Sequence, residues 1–374
     1  MTESLRVLVV DDSALMRKLI PQILERDSSI HVVGTAMDGA FALKKIQELT
    51  PHVITLDLEM PRMDGVETLR EITKRFQLPV IVVSAHTTQG AAATFKALAM
   101  GAFDFVAKPQ DALSAHLESI AAELINKIKV AAHAQLTRIR VESDPVPHVR
   151  VRKTPQNRPP ARKVIAIGVS TGGPNALQYM LSQLPADFPA AILIVQHMPE
   201  GFTELFAKRL DECCNIDVRE AQSGDLLLAG RALICPGNRH MKVRRLPLGD
   251  IATLNDDSRV NGHRPSVDVL FRSVASEFGR DAVAVLMTGM GEDGAEGMNA
   301  IRSAGGLTIA QSEDSCVVYG MPKAAIERGY ATRVVPLDAL ANTLQAQCLT
   351  ERARATESKV RTGLEATRKC LEGM

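Results

Sequence analysis

The 374-residue chain has no tryptophan and only three tyrosines. It therefore offers no aromatic platform on which bases or sugars would stack. Its formal net charge is +1, from 44 Lys and Arg against 43 Asp and Glu, a balance that favours neither nucleic acid nor an anionic membrane surface. No apolar run reaches the about 20 residues that a membrane helix needs. Met1-Thr2-Glu3-Ser4 runs straight into a strand-like segment, so no secretory leader is expected. The six cysteines (Cys213, Cys214, Cys235, Cys316, Cys348 and Cys370) form no C-x-x-C pair and are not grouped with histidine at metal-ligand spacing. Reduced thiols in a cytoplasmic protein are expected. A hydrophobic content of 45% and a charged content of 23% belong to a soluble globular chain long enough for two domains or more.

What is present is alternation. Leu5–Val10, Ile30–Ala36, Val53–Asp57, Val80–Ser84 and Phe103–Val106 read as strands, with amphipathic helices between them. The last helix carries Leu113, Leu117, Ile120, Leu124, Ile125 and Ile128 as one apolar stripe. This predicts a five-stranded, parallel, doubly wound sheet for residues 1–130. Residues 131–162 lose the apolar period. Pro145, Pro147, Pro155, Pro159 and Pro160 lie there among scattered arginines, which predicts an extended linker. A nucleic-acid-binding tail is the alternative. Residues 163–350 resume the alternation in a second α/β domain. Strands are expected at Val164–Gly168, Ala191–Gln196 and Ala282–Thr288, and helices at Gly173–Leu184, Phe202–Leu210, Ser266–Phe278 and Asp293–Ala304. Asp217 to Leu254 reads as a β-rich insertion on a mainly parallel, Rossmann-like sheet. Residues 351–374 form a charged, weakly helical tail.

In the first domain, polar residues gather where the strands end. Asp11 and Asp12 close the first strand, Asp57 the third and Ser84 the fourth, and Lys108 follows the fifth. A doubly wound sheet brings these ends to one edge. Three carboxylates there call for a cation, and oxygen-only ligands suit Mg²⁺. A carboxylate beside Mg²⁺ can attack a phosphoryl group, with a lysine and a hydroxyl holding the phosphoryl oxygens. A cis Lys108-Pro109 peptide would turn the lysine inward. The stretches VLVVDDSALMRKLI, DLEMPRMDG, VIVVSAH and GAFDFVAKP closely resemble two-component receiver domains. The resemblance implies Asp57 as phospho-acceptor and Asp11, Asp12 and Asp57 as Mg²⁺ ligands, with the Glu59 carbonyl as a further contact. It implies Ser84 and Lys108 as phosphoryl-binding residues, Phe105 as an aromatic switch, and a histidine kinase as phosphodonor.

The second domain contains no compact helix-turn-helix with a basic recognition helix, which argues against a DNA-binding output. Its first strand runs into IAIGVSTGGPNAL. As a dinucleotide loop this segment puts Ser170 where the middle glycine must let the backbone approach a pyrophosphate, and the next strand ends in Gln196-His197 without an acidic residue for a ribose. As a nucleophile turn, Gly168-Val169-Ser170-Thr171-Gly172 matches G-x-S-x-G, and Pro174 suits the first turn of the helix that follows. A serine hydroxyl needs a base. His197 ends the next strand, and Asp293 follows a third one in TGMGEDG. The roles would be Ser170 nucleophile, His197 general base then acid, and Asp293 orienting carboxylate. The amides of Gly289, Met290 and Gly291 are candidates for an oxyanion hole. The order serine, histidine, aspartate differs from the serine, acid, histidine order of α/β-hydrolases. His240 and His263 are competing bases, or residues that bind substrate or cap a loop.

IAIGVSTGGP, VQHMP, ICPGNRHMKV, HRPSVDVLFRSVA and VLMTGMGEDGAEGM resemble the catalytic domain of the chemotaxis protein-glutamate methylesterases, the CheB family. The resemblance spans roughly residues 5–348, with receiver, linker and catalytic domain in the family's order; the tail does not map onto it. It implies Ser170, His197 and Asp293 as the triad, Thr171 as a support for the histidine, and the Met290 backbone as an oxyanion donor. The implied enzyme is a monomer with no cofactor for hydrolysis. It demethylates glutamate methyl esters on methyl-accepting chemoreceptors and deamidates receptor glutamines. Its unphosphorylated receiver would pack over the active site.

Overall fold

The computed structural model describes residues 4–85, 87–108, 116–133 and 158–348. The Lys108-Pro109 peptide, most of the linker and the tail 351–374 lie outside the described residues. The first domain is a parallel sheet of β1 (Leu5–Val10), β2 (Ile30–Ala36), β3 (Val53–Leu56), β4 (Val80–Ser84) and β5 (Asp104–Ala107), in the order β2-β1-β3-β4-β5. Helices α1 (Ala14–Leu24), α2 (Gly39–Leu49), α3 (Gly65–Arg75), α4 (Thr88–Ala99) and α5 (His116–His133) cross between and beyond the strands. Short polar side chains start the first four. Ser13, Asp38, Asp64 and Thr87 accept from the amides of Met16, Phe41, Glu67 and Gly90, each satisfying an otherwise unpaired first-turn donor. β3 stops at Leu56, so Asp57 lies just past the strand, and β5 sits one residue later than its apolar pattern suggests.

The second domain has the order β14-β13-β12-β6-β7-β9-β8, every pair parallel. At its centre β6 (Lys163–Val169), β7 (Ala190–Gln196) and β12 (Ala282–Leu286) are buried at every residue. A parallel sheet covered on both faces requires such strands. The stretch expected as a β-rich insertion divides. β8 (Asp217–Glu220) and β9 (Arg231–Ile234) extend the main sheet, and only β10 (His240–Arg244) and β11 (Ile251–Asn255) form a separate antiparallel ribbon. β8 is an edge strand with one fully buried residue, so its polar sequence resembles a surface hairpin. Beyond β12 lie β13 (Leu307–Gln311), whose buried Thr308 and Gln311 interrupt its apolar pattern, and the three-residue edge strand β14 (Arg333–Val335). The helices are α6 (Gly173–Ser182), α7 (Thr203–Cys213), α8 (Val267–Phe278), α9 (Ala295–Ser303), α10 (Met321–Glu327) and α11 (337–348).

Two segments expected in the linker are structured. α5 continues to His133. Residues 158–162 dock on the second domain: the Arg158 guanidinium donates to the Gly230 carbonyl (2.5 Å), and the Ala161 amide donates to the Leu227 carbonyl (3.1 Å). The Gly230 carbonyl also accepts from Asp217 N (3.0 Å), so the guanidinium adds a second, charged donor to a backbone acceptor, and this holds the basic stretch.

The two domains share a continuous apolar cluster. Phe95 of α4 stacks on Phe206 of α7 at 5.4 Å, and Phe105 of β5 stacks on Phe202 at 4.9 Å. The Asn175 amide of α6 donates to the Leu98 carbonyl of α4 (3.0 Å).

Gly168 lets α8 lie against β6, since a Cβ there would fall 2.2 Å from Val267 Cγ1. Gly168→Ala should lower stability by about 1–3 kcal/mol through overpacking. Urea unfolding should show an earlier midpoint, and Val267→Ala in the same chain should recover part of the loss.

Candidate active site

Ser170 follows β6 in a turn fixed by its backbone. Its amide donates to the Thr288 carbonyl (3.0 Å), and its carbonyl accepts from Gly173 N (2.8 Å) and Gln196 Nε2 (3.0 Å). Gly172 has a φ of 75°, a left-handed conformation that costs glycine little and a side-chain-bearing residue more. The Gln196 amide also donates to the His197 carbonyl (3.1 Å), so one buried side chain ties the serine turn to the histidine strand end.

His197 and Asp293 meet as the strand ends suggested, with Nε2 2.9 Å from Asp293 Oδ2. An anionic carboxylate can only accept there, so Nε2 carries the proton. Nδ1 is the nitrogen left for a serine; it is buried and has no hydrogen-bond partner among the described residues. No hydrogen bond joins it to Ser170 among the described residues. Nucleophile–base contacts are often loose before substrate arrives.

Asp293 is almost fully buried, and the start of α8 receives it. Val267 N donates to Oδ2 (2.7 Å), while Ser266 Oγ (2.8 Å), Asn261 Nδ2 (3.0 Å) and Asp268 N (3.3 Å) donate to Oδ1. Free first-turn amides and the helix dipole favour an anion at this end. Burial alone pushes the carboxyl upward. The hydrogen bond and charge of His197, the Val267 amide and Asn261 outweigh it and hold Asp293 well below the usual carboxylate range.

The two competing histidines take different places. His240 is fully buried, donating from Nε2 to the Ser258 carbonyl (3.1 Å) and accepting at Nδ1 from Ser266 N (3.2 Å). It therefore braces the start of α8. His263 stacks flat on His197, with centroids 3.8 Å apart and planes 6° from parallel. Burial first, then the neighbouring His197, lowers its pKa to about 4.

Of the expected oxyanion amides, Gly289 is committed elsewhere: its N–H donates to the Val318 carbonyl (3.0 Å). A Cβ on Gly289 would lie 2.8 Å from Ser170 Cβ, which explains the glycine. Met290 is half-buried and packs, with Val317, against an apolar cluster that joins first-domain residues to Val318. Thr171 is buried beside the serine, with its carbonyl accepting from Thr288 Oγ1 (3.0 Å). No hydrogen bond links its hydroxyl to His197 among the described residues. Asn261, Ser266 and Gln196 escaped the sequence reading. They are polar residues of ordinary type, and only folding reveals what they touch.

The acidic pocket of the first domain also assembles. Carboxylate oxygens of Asp11, Asp12 and Asp57 lie within 4.8 Å of one another. Lys108 Nζ lies 2.7 Å from Asp57 Oδ2 and 3.0 Å from Asp11 Oδ2. Burial raises the Asp57 pKa against the opposing effect of Lys108. For Lys108, burial alone would lower the pKa, but Asp57 and Asp11 raise it above its ordinary value. One ammonium among three carboxylates leaves negative charge over, and the all-oxygen donor set fits Mg²⁺. Glu59 donates its N–H to Asp57 Oδ1 (3.2 Å). Ser84 is buried and donates to the Gly90 carbonyl (3.1 Å) in α4. Phe105 lies in the interdomain stack.

A model of the CheB methylesterase family matches residues 165–344, and one of the response regulator receiver domain matches residues 7–118. A protein-glutamate methylesterase/protein-glutamine glutaminase of Koribacter versatilis is 64% identical over 356 residues, covering 94% of this chain and 98% of its own. One from Pyrococcus horikoshii is 46% identical over 351 residues, covering 92% and 94%. The crystal structure of the Thermotoga maritima CheB methylesterase catalytic domain, 38% identical, covers 50% of this chain and 98% of its own with a TM-score of 0.49.

A depressed folded-state pKa makes Asp293 stabilising above the unfolded carboxylate value, and that stability is lost as pH falls. The stability difference between the parent and Asp293→Asn should therefore be largest near neutrality and shrink below about pH 4. Urea unfolding of both proteins across that range measures it.

Proposed function

The chain belongs to the CheB methylesterase family, with a response regulator receiver domain before the catalytic domain, and on that premise we propose how its residues act. The protein is a phosphorylation-regulated protein-glutamate methylesterase/protein-glutamine glutaminase of chemotaxis adaptation. The observation that carries the site assignment is the buried His197–Asp293 pair beside the Ser170 turn.

Ser170 Oγ attacks the carbonyl of a receptor γ-glutamyl methyl ester while His197 Nδ1 takes the hydroxyl proton. Asp293 stabilises the imidazolium and holds its Nε2–H. The carbonyl oxygen gains charge as the tetrahedral centre forms, and the Met290 and Gly291 amides would donate to it. His197 returns the proton to the methoxy oxygen, methanol leaves, and a serine ester remains. Water, deprotonated by His197, then releases the glutamate carboxylate and restores Ser170. A glutamine side chain follows the same path with ammonia leaving. Thr171 supports the histidine through its buried place next to the serine.

In the receiver, Asp57 accepts the phosphoryl group from a histidine kinase. Asp11, Asp12 and Asp57, with the Glu59 carbonyl, would hold Mg²⁺, which when bound neutralises the phosphoryl oxygens. Lys108 leaves its pairing with Asp57 to bind a phosphoryl oxygen, and Ser84 leaves the Gly90 carbonyl to bind another. That movement loosens α4 and Phe105, which pack on Phe202 and Phe206. Val318, whose carbonyl accepts from the Gly289 amide beside the serine turn, belongs to the receiver's apolar cluster, and this supports an occluded resting state. Substrates are methyl-accepting chemoreceptors. Among the described residues no helix is long and apolar enough to cross a membrane, and we place a monomer in the cytoplasm.

Ser170→Ala should cut methanol release from methylated receptor by about 10³-fold or more; retention of parental rates would refute the nucleophile. Phe202→Ala should raise activity measured without phosphodonor and reduce its stimulation by one. Unchanged basal turnover in a folded Phe202→Ala protein would count against occlusion through this contact.

A further inference from the structure

The turn from Val260 to His263 closes on itself, Val260 N donating to the His263 carbonyl (3.0 Å) and His263 N to the Val260 carbonyl (2.9 Å). It touches the histidine–aspartate pair at both members. The His263 ring lies flat on His197. Asn261, two residues earlier, donates through one amide nitrogen to two carboxylates, Asp293 Oδ1 (3.0 Å) and Asp268 Oδ2 (2.9 Å). The nitrogen has two hydrogens and so can serve both. The flipped amide would set an oxygen against two carboxylates, so the donor orientation is the one chemistry allows.

Two buried carboxylates so near one another repel unless donors stand between them. Asp268 also accepts from Gly297 N (2.6 Å), and its outer oxygen lies 3.7 Å from Arg272. Asn261 has a φ of 53°, a left-handed conformation that asparagine tolerates and branched residues do not. Backbone and side chain thus converge on one task.

We propose that Asn261 is a positioning residue: its amide bridges Asp268 and Asp293, fixing the Asp293 carboxylate so that Oδ2 stays on His197, while His263 on the same turn fixes the imidazole plane. The inference rests on the reading of His197 as base and Asp293 as its orienting group. The charged or titratable groups around the pair are His263 and Arg259 on the turn side and Asp268 and Arg272 on α8.

Two substitutions test it in the full-length protein. Asn261→Gly suits the backbone and removes the donor. Asn261→Asp keeps the shape and turns the donor into a third carboxylate. Both should lower kcat for methanol release about 10-fold with KM within about twofold, as loss of orientation does. An added carboxylate stabilises the imidazolium. In Asn261→Asp the His197 titration, followed by histidine ring NMR, should therefore move to higher pH by about half a unit or more, with the acid limb of kcat/KM. Asn261→Gly should shift it less. The NMR measurement needs no turnover: a parent that releases no methanol would refute the methylesterase reading and leave the titration to judge the bridge. A folded Asn261→Asp protein whose His197 titrates as in the parent overturns the inference, whatever its turnover.

Discussion

The buried carboxylate of Asp293 is the constraint around which the second domain is arranged. A charge placed almost wholly out of water must be met by donors or it will not stay ionised. Here the donors come from four sources: the His197 ring, the first amides of α8, the Ser266 hydroxyl and the Asn261 amide. Each imposes a demand further out. α8 must begin at this point, which requires it to pass close over β6 at Gly168. Ser266 must be held, and His240 holds its amide. The loop before α8 must turn back, and it does so between Val260 and His263. An ionised Asp293 in turn keeps the proton on Nε2 of His197 and leaves Nδ1 as the acceptor, the protonation state that a serine needs from its neighbour.

The first domain repeats the theme with the balance reversed. Asp11, Asp12 and Asp57 outnumber the single ammonium of Lys108, and burial drives Asp57 upward. The pocket is electrostatically unfinished and suits a cation and a phosphoryl group. Its resting contacts run outward through Ser84 to α4, and α4 and β5 carry the two phenylalanines that meet α7. The interface is apolar and stacked. A few ångströms of movement would cost it contact area directly, so a local change in charge can be felt across the domain boundary.

Much of this was legible without coordinates. In parallel sheets the carboxyl ends of the strands share one edge, so polar residues just after apolar runs are neighbours whatever the details between them. That rule placed His197 beside Asp293, and likewise Lys108 beside Asp11 and Asp57. It failed where residues were placed by helix packing. Asn261 and Ser266 reach Asp293 only because α8 docks on β6. The Gly289 amide is consumed by Val318 only because the chain near residue 318 folds back over the serine turn. β13 and β14 show no apolar run: β13 buries the polar Thr308 and Gln311, and β14 is an edge strand with one buried residue.

The sequence by itself determined two parallel α/β domains, the identities of the acidic, serine and histidine groups, and the turn chemistry of Gly168 to Gly173. These follow from local rules: alternation, strand-end position and the space a glycine leaves. Tertiary structure alone decided which histidine nitrogen faces the carboxylate, which backbone amides remain free, and which two aromatic pairs join the domains. Those depend on distances between segments far apart in the chain, where a displacement of about 1 Å decides whether a hydrogen bond forms.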